Sequence, residues 1–357
     1  MSKIHTLKVA DIRRETEDTV SVLMEVPAGL EEKYTYKQGQ YITFIKEING
    51  EELRRAYSIC EAPSSGQLRV AIKEIPDGRF SSYANRTLQI GDELDVMTPM
   101  GNFTANVNSN QTNRYVFFAA GSGITPIISN IKTILEVEND SQVVLLYGNK
   151  NSDTIIFKEQ IEDLKNKYIN RFEIYFILSQ DIDVPQSLRG RIDVDKCKTF
   201  EKISPLSGAD KYFLCGPEDM ILSVSDWIEN SGTAKSDIHF ELFSTGKKAA
   251  NTSVEKEKTK LATGNAQVEV VIDGETVQFE LEKDGTNIMD AALNAGADVP
   301  FACKGGVCCT CRAKVIEGEV KMEVNYALQP DEVENGFVLS CQAHPITDKV
   351  VLDFDEF

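Results

Sequence analysis

A chain of 357 residues exceeds what one hydrophobic core supports, so two or three domains are expected. Its composition is that of an ordinary globular protein, which sets aside disordered and fibrous classes. A formal net charge of −18 argues against nucleic acid or an anionic membrane as partner and suits a basic protein face. The stretch MSKIHTLKVADIRRETEDTV is mixed and charged, without the apolar core of a secretory signal. FFAAGSGITPII comes nearest to a membrane-length run, and Gly, Ser and Pro break it. The expected location is the cytoplasm.

Up to about residue 108 the pattern is strand-like. TVSVLMEV, QYITFIKEI, LRVAIKEI and DELDVMT are short and alternating, parted by Gly, Pro, Asn and Asp, which predicts an antiparallel barrel. RAYSI, residues 55–59, resembles the R-x-Y-S signature of the ferredoxin–NADP reductase superfamily. The resemblance implies that Arg55 carries a flavin pyrophosphate, Tyr57 packs on the isoalloxazine, and Ser58 faces its reactive nitrogen. Those residue types suit these tasks: a bidentate cation for phosphate, a flat ring for a flat ring. A Tyr-Ser pair in a strand by itself reads as packing. AIKEIPDGRFSSYA supplies a second element: backbone near Ile72 and Lys73 would hold the ribityl chain, and Gly78, Phe80, Ser81 and Ser82 would open a helix whose amides receive the pyrophosphate. PMGNF, residues 99–103, matches the barrel end of the same superfamily. The helix start favours FAD over FMN, since it would serve a diphosphate.

From Tyr115 the period changes. YVFFAAGSG, VVLLYG, FEIYFILS and KYFLCGP read as buried strands, alternating with helical NIKTILEVE, FKEQIEDLKNKY and EDMILSVSDWIEN, so a doubly wound parallel α/β sheet follows. Ligands bind such sheets at the carboxyl ends of the strands. The segments there resemble the NAD(P) domain of the superfamily: Gly121, Gly123, Thr125 and Pro126 after the first strand, then Tyr147, Gly148, Asn149 and Lys150, then Ser179 and Gln180. The resemblance further implies that Cys215, Gly216 and Pro217 sit beside the nicotinamide ring, with the Cys215 thiol near its reacting carbon. A 2′-phosphate needs a cation; Gln180 stands where many NADPH users carry Arg, and Lys150 is the candidate substitute. NADPH is favoured, with NADH left open. HFELF, residues 239–243, resembles the terminal segment in which a Glu positions the reacting rings and an aromatic covers the flavin, here Glu241 and Phe243. A terminal strand with an apolar face is the alternative. Catalytic roles thus fall to Ser58, Cys215 and Glu241, while Cys60 and Cys197 read as ordinary thiols.

KKAANTSVEKEKTKLATGN lacks apolar periodicity and is lysine-rich, as a linker would be. Residues 265–357 then hold 18 Asp/Glu against 6 Lys/Arg, a net of −12, two thirds of the whole chain's excess. ACKGGVCCTCRAKV places four of the eight cysteines within nine positions. Cys303, Cys308 and Cys311 are spaced C-x4-C-x2-C and Cys341 follows, the plant-type arrangement for a 2Fe-2S cluster. Two irons need four thiolates; Gly305 and Gly306 let backbone N–H groups approach the sulfurs. Cys309 is the surplus cysteine, falling between ligands. Zinc would prefer paired C-x2-C knuckles, so it fits less well. NIMDAALNAGADVPFACKGGVCCTC and VLSCQAHP resemble the plant-type ferredoxins, which implies a β-grasp fold.

The expected organisation is a flavin-binding β-barrel at 1–108, a nicotinamide domain at 109–245, a linker at 246–264 and a ferredoxin domain at 265–357. By domain order the chain resembles the oxygenase-reductase branch of the superfamily. That implies electrons from NADPH passing through FAD and a 2Fe-2S cluster to a terminal oxygenase, docked through a basic face. A redox sensor or diaphorase, and a scaffold with a vestigial flavin domain, are the rival readings.

Overall fold

The computed structural model describes residues 4–243 and 264–356, which fall into two compact units, one in each stretch. The linker expected at 246–264 lies outside the described residues except for Gly264.

The first unit begins with six antiparallel strands: β1 (Ile4–Thr16), β2 (Thr19–Glu25), β3 (Tyr41–Ile48), β4 (Glu51–Ser58), β5 (Leu68–Lys73) and β6 (Glu93–Met97). Their order is β4-β3-β6-β1-β2-β5, with helix α1 (Arg79–Arg86) following β5. Alternating residues such as Val20, Val22, Ile42, Phe44, Val70 and Ile72 fill the barrel, as the period of two requires. The strands at the two ends of this order, β4 and β5, are joined by a lone bridge from Ile59 to Val70. Past that bridge they part, and a seam opens along the barrel.

Five parallel strands follow: β7 (Arg114–Ala120), β8 (Gln142–Asn149), β9 (Phe172–Leu178), β10 (Lys211–Gly216) and β11 (Ile238–Leu242). Between them run α2 (Ile124–Val137), α3 (Lys158–Lys167), α4 (Val194–Phe200) and α5 (Glu218–Asn230). The order β11-β10-β7-β8-β9 reverses direction at β7, so the topological switch point lies between β7 and β10. Helix α2 starts earlier than its NIKTILEVE periodicity indicates. Pro126 sits in its first turn, where the missing N–H is one that an α-helix leaves unbonded anyway.

Helix α2 also carries polar residues into the interior, and these hold the barrel in place. Asn130 accepts from Ala105 N at 2.8 Å and donates to the Phe103 carbonyl at 3.0 Å. Ser129 donates to the Glu61 carbonyl at 2.6 Å, and Lys132 pairs with Glu61 at 2.7 Å. Buried polar groups require such partners, so the contact with the barrel is specified by geometry as well as by apolar area.

The second unit has a five-stranded sheet of order β13-β12-β18-β14-β16, built from β12 (Asn265–Ile272), β13 (Glu275–Glu282), β14 (Arg312–Glu317), β16 (Phe337–Leu339) and β18 (Lys349–Asp353). A small sheet pairs β15 (Val320–Met322) with β17 (Ala343–Pro345), and helices α6 (Ile288–Asn294) and α7 (Pro330–Glu334) complete the unit. Asn287 caps α6 by accepting from Asp290 N at 2.8 Å. Ile288, Met289 and Ala292 bury one face of α6 with Val268, Val270, Leu339 and Leu352 of the sheet, which is the β-grasp arrangement.

Candidate functional site

Along the seam of the barrel, β4 presents Arg55 and Tyr57 and β5 presents Ile72 and Lys73. Sheet edges carry backbone donors and acceptors without strand partners, which is what a long polar ligand chain needs. Arg55 is exposed and donates to the Arg54 carbonyl at 2.8 Å. The Tyr57 ring stands 5.7 Å from Phe80 and 6.0 Å from Phe44, forming an aromatic wall, and burial pushes its hydroxyl well up. Two of the β5 groups have partners within the fold. The Ile72 carbonyl accepts from Asn85 Nδ2 at 2.9 Å, and the Lys73 ammonium pairs with Asp18 at 3.3 Å.

At the start of α1, Ser81 Oγ donates to the Gly78 carbonyl at 3.2 Å and Ser82 Oγ to Glu74 at 2.9 Å. Both hydroxyls are spent on the local turn. The anion-binding capacity there belongs to the first-turn backbone N–H groups, which no helical carbonyl reaches.

The three candidate catalytic residues converge. Cys215 and Glu241 are register partners on β10 and β11, and Ser58 Oγ donates to Glu241 Oε2 at 3.3 Å across from the barrel. Among the described residues no cation shifts Glu241; burial pushes its carboxyl up to about 8, against the lowering effect of Ser58. Burial, reinforced by the Glu241 charge, likewise holds the Cys215 thiol well above the usual range. Both shifts favour the neutral forms of these two groups, which suits a hydride more than an ionic step. Phe243 is exposed just beyond β11.

The glycine turn after β7 is pressed against the end of β10. A Cβ on Gly123 would lie 2.1 Å from the Cys215 carbonyl oxygen, so backbone meets backbone at the switch point. Tyr147 donates to the Gly121 carbonyl at 3.0 Å, and Thr125 to Ser122 O at 3.1 Å, which fixes the turn that opens α2. The loops after β8 and β9 are tied together, with Ser179 N on Asn149 O at 2.9 Å and Gln180 N on Lys150 O at 2.8 Å. Asn149 is buried, and among the described residues no acceptor lies within hydrogen-bonding distance of its amide nitrogen. Pro126, Gly148, Gly216 and Pro217 lie at the same carboxyl edge.

Sequence reasoning missed one cation here. Arg189 forms a parallel bridge with Leu178, and Gly190 N donates to Leu178 O at 2.9 Å, so the exposed Arg191 follows along the edge that carries Gln180. Arg-Gly-Arg signals nothing alone, because only the fold lays it beside β9.

In the second unit the cysteines stand as two pairs. Cys308 Sγ lies 3.1 Å from Cys303 Sγ, and Cys311 and Cys341 form the other hydrogen-bonded pair. The two pairs lie close enough for Cys311 to feel Cys308 and Cys341 to feel Cys303. Two thiols for each of two irons fit the quartet. The bond from Cys308, with backbone N–H groups of Gly305, Val307 and Cys308, brings Cys303 down to about 6 despite burial. Gly305 N reaches Cys303 Sγ at 3.3 Å. Cys309 turns aside, its Sγ 3.5 Å from the Ala327 carbonyl.

Three family profiles match the chain: an oxidoreductase FAD-binding domain at 6–105, an oxidoreductase NAD-binding domain at 117–226 and a 2Fe-2S iron-sulfur cluster binding domain at 270–345. The chain is 41% identical over 356 residues to one component of the 1,2-phenylacetyl-CoA epoxidase of Escherichia coli (strain K12), covering 99% of each. It is 31% identical over 352 residues to the ferredoxin reductase component of 3-ketosteroid-9-alpha-monooxygenase from Rhodococcus rhodochrous, covering 98% of this chain and 96% of that one. In fold it is similar to phthalate dioxygenase reductase, described as a modular structure for electron transfer from pyridine nucleotides to [2Fe-2S], with a TM-score of 0.58, 22% identity and 98% of each chain covered.

Proposed function

The chain belongs to the reductase components of oxygenase systems, with FAD-, NAD- and 2Fe-2S-binding domains, and on that premise we propose its donor, its acceptor and the work of its residues. The acceptor is an oxygenase acting on phenylacetyl-CoA, supported by full-length identity to the epoxidase component. NADPH is the donor, with Lys150 and Arg191 as the cations for its 2′-phosphate. The domains run 1–108, 109–245 and 265–357, joined by 246–264, in a cytoplasmic protein.

When bound, a flavin would supply two-electron acceptance with one-electron release, and a 2Fe-2S cluster one-electron transfer. Arg55 and the first-turn amides of α1 at Phe80 and Ser81 hold the flavin diphosphate, Gly78 and Ser82 shaping the turn through their own backbone bonds, while Tyr57 flanks its ring and Phe243 covers it. Gly121, Gly123, Thr125 and Pro126 admit the nicotinamide backbone, Tyr147 to Lys150 and Ser179–Gln180 line its far end, and Cys215, Gly216 and Pro217 flank its ring. Ser58 and Glu241 keep the reacting corner oriented and neutral. Cys303, Cys308, Cys311 and Cys341 are the cluster ligands. The observation that carries this reading is the convergence of Ser58, Glu241 and Cys215 at the switch point of a dinucleotide-type sheet.

Mixing the purified protein with a phenylacetyl-CoA oxygenase and timing NADPH-dependent product tests the acceptor. Failure to support turnover with that oxygenase, while a steroid or ring-hydroxylating oxygenase is served, reassigns it. The acidic ferredoxin domain calls for a basic docking face, so transfer should slow as salt rises.

A further inference from the structure

The loop that carries the thiols is braced by a residue no ligand spacing calls for. Gln342, directly after Cys341, is half-buried, and its side-chain amide faces three acceptors: the Cys341 carbonyl at 2.9 Å, the Lys304 carbonyl at 3.3 Å and Cys341 Sγ at 3.6 Å. The side chain lies flat across the loop, since a Cβ on Gly306, at φ 72°, would come within 3.2 Å of its Cγ. Lys304 is itself pinned. Its φ of 52° is one that few non-glycine residues adopt, its ammonium meets Asp290 at 2.7 Å, and it covers the Phe301 ring at 4.5 Å. One amide thus ties the Cys303 loop to the segment bearing Cys341 and points N–H at a ligand sulfur.

On the cluster reading above, we infer that Gln342 sets the reduction potential of the iron–sulfur centre. Reduction adds a negative charge shared by the ligand sulfurs, and a donor aimed at Cys341 Sγ gains strength when that charge arrives, so the reduced state is favoured. Backbone donors such as Gly305 N supply the same effect but stay in place under any substitution. The Thr310 hydroxyl also reaches a ligand, Cys308, but from a fully buried position. Gln342 therefore offers a side-chain donor that can be exchanged without opening the core.

The test is a redox titration of the full chain carrying Gln342→Leu or Gln342→Glu, read from the electron paramagnetic resonance of the reduced cluster. Both variants should be harder to reduce than the parent, the Glu variant more so because its carboxylate faces the sulfur. For Gln342→Leu the reduction equilibrium against a fixed mediator should move several-fold, a tenfold move being ~59 mV for one electron. An iron-replete Leu variant within twofold of the parent overturns the inference. Should a variant lose its iron, the unsubstituted protein decides: with ¹⁵N in the glutamine side-chain amides, pulsed resonance should detect a coupled nitrogen, and its absence overturns the inference. Unsubstituted protein devoid of iron contradicts the cluster reading instead.

Discussion

Glu241 makes the sharpest prediction. Its carboxyl rises from an ordinary value of 4.5 to about 8, through burial opposed by Ser58. A carboxyl whose native pKa is raised keeps its proton in the folded state across that window. Its contribution is complete below the unfolded value, shrinks as pH climbs, and is lost by the folded value. Keeping that proton across the whole window corresponds to about 5 kcal/mol, of which about 2 kcal/mol falls between pH 6 and pH 8. Gln in place of Glu241 removes the titration while keeping the shape and an acceptor for Ser58. Urea unfolding followed by flavin fluorescence at both pH values isolates the difference. The unsubstituted chain should lose about 2 kcal/mol more than Glu241→Gln between them. Equal losses would refute the claim that this carboxyl is held neutral.

Other predictions follow from the same geometry. Asp11→Ala leaves the fully buried Arg69 without the carboxylate it meets at 2.6 Å, and should cost roughly 2–3 kcal/mol in urea unfolding, below the range for a wholly buried pair because Asp11 is a third exposed. Adding Arg69→Met should recover most of that loss. Gly123→Ala drives a methyl into the Cys215 backbone, so the nicotinamide KM should rise and hydride transfer slow in stopped-flow while flavin content is unchanged. Arg191→Ala should raise the KM for NADPH about tenfold and leave that for NADH unmoved, since one lost charged contact is worth ~1.4 kcal/mol or more; parallel changes would remove Arg191 from the phosphate site.

The sequence reveals what is local. Period-two strands and the change of period at Tyr115 are each written in adjacent residues, and the folded chain keeps them; the spacing from Cys303 to Cys311 is equally local. What escapes is set by partners distant in sequence. Nothing in NIKTILEVE shows that Asn130 will bond Phe103 and Ala105, or that α2 begins at Ile124. Ser81 and Ser82 are legible as the start of a helix whose amides suit a pyrophosphate, but nothing local shows that their hydroxyls will serve Gly78 and Glu74. Arg191 becomes a candidate only when Leu178 and Arg189 come side by side, and Gln342 only when the Lys304 carbonyl turns toward it.

The most direct test is an anaerobic titration of the full chain with NADPH, read at low temperature by electron paramagnetic resonance. One 2Fe-2S spin per chain should appear as reductant is added, and should vanish in a Cys341→Ser protein that keeps its flavin. Bleaching of the flavin with no cluster signal, or a signal untouched by the Cys341 substitution, would contradict the electron path proposed for this chain.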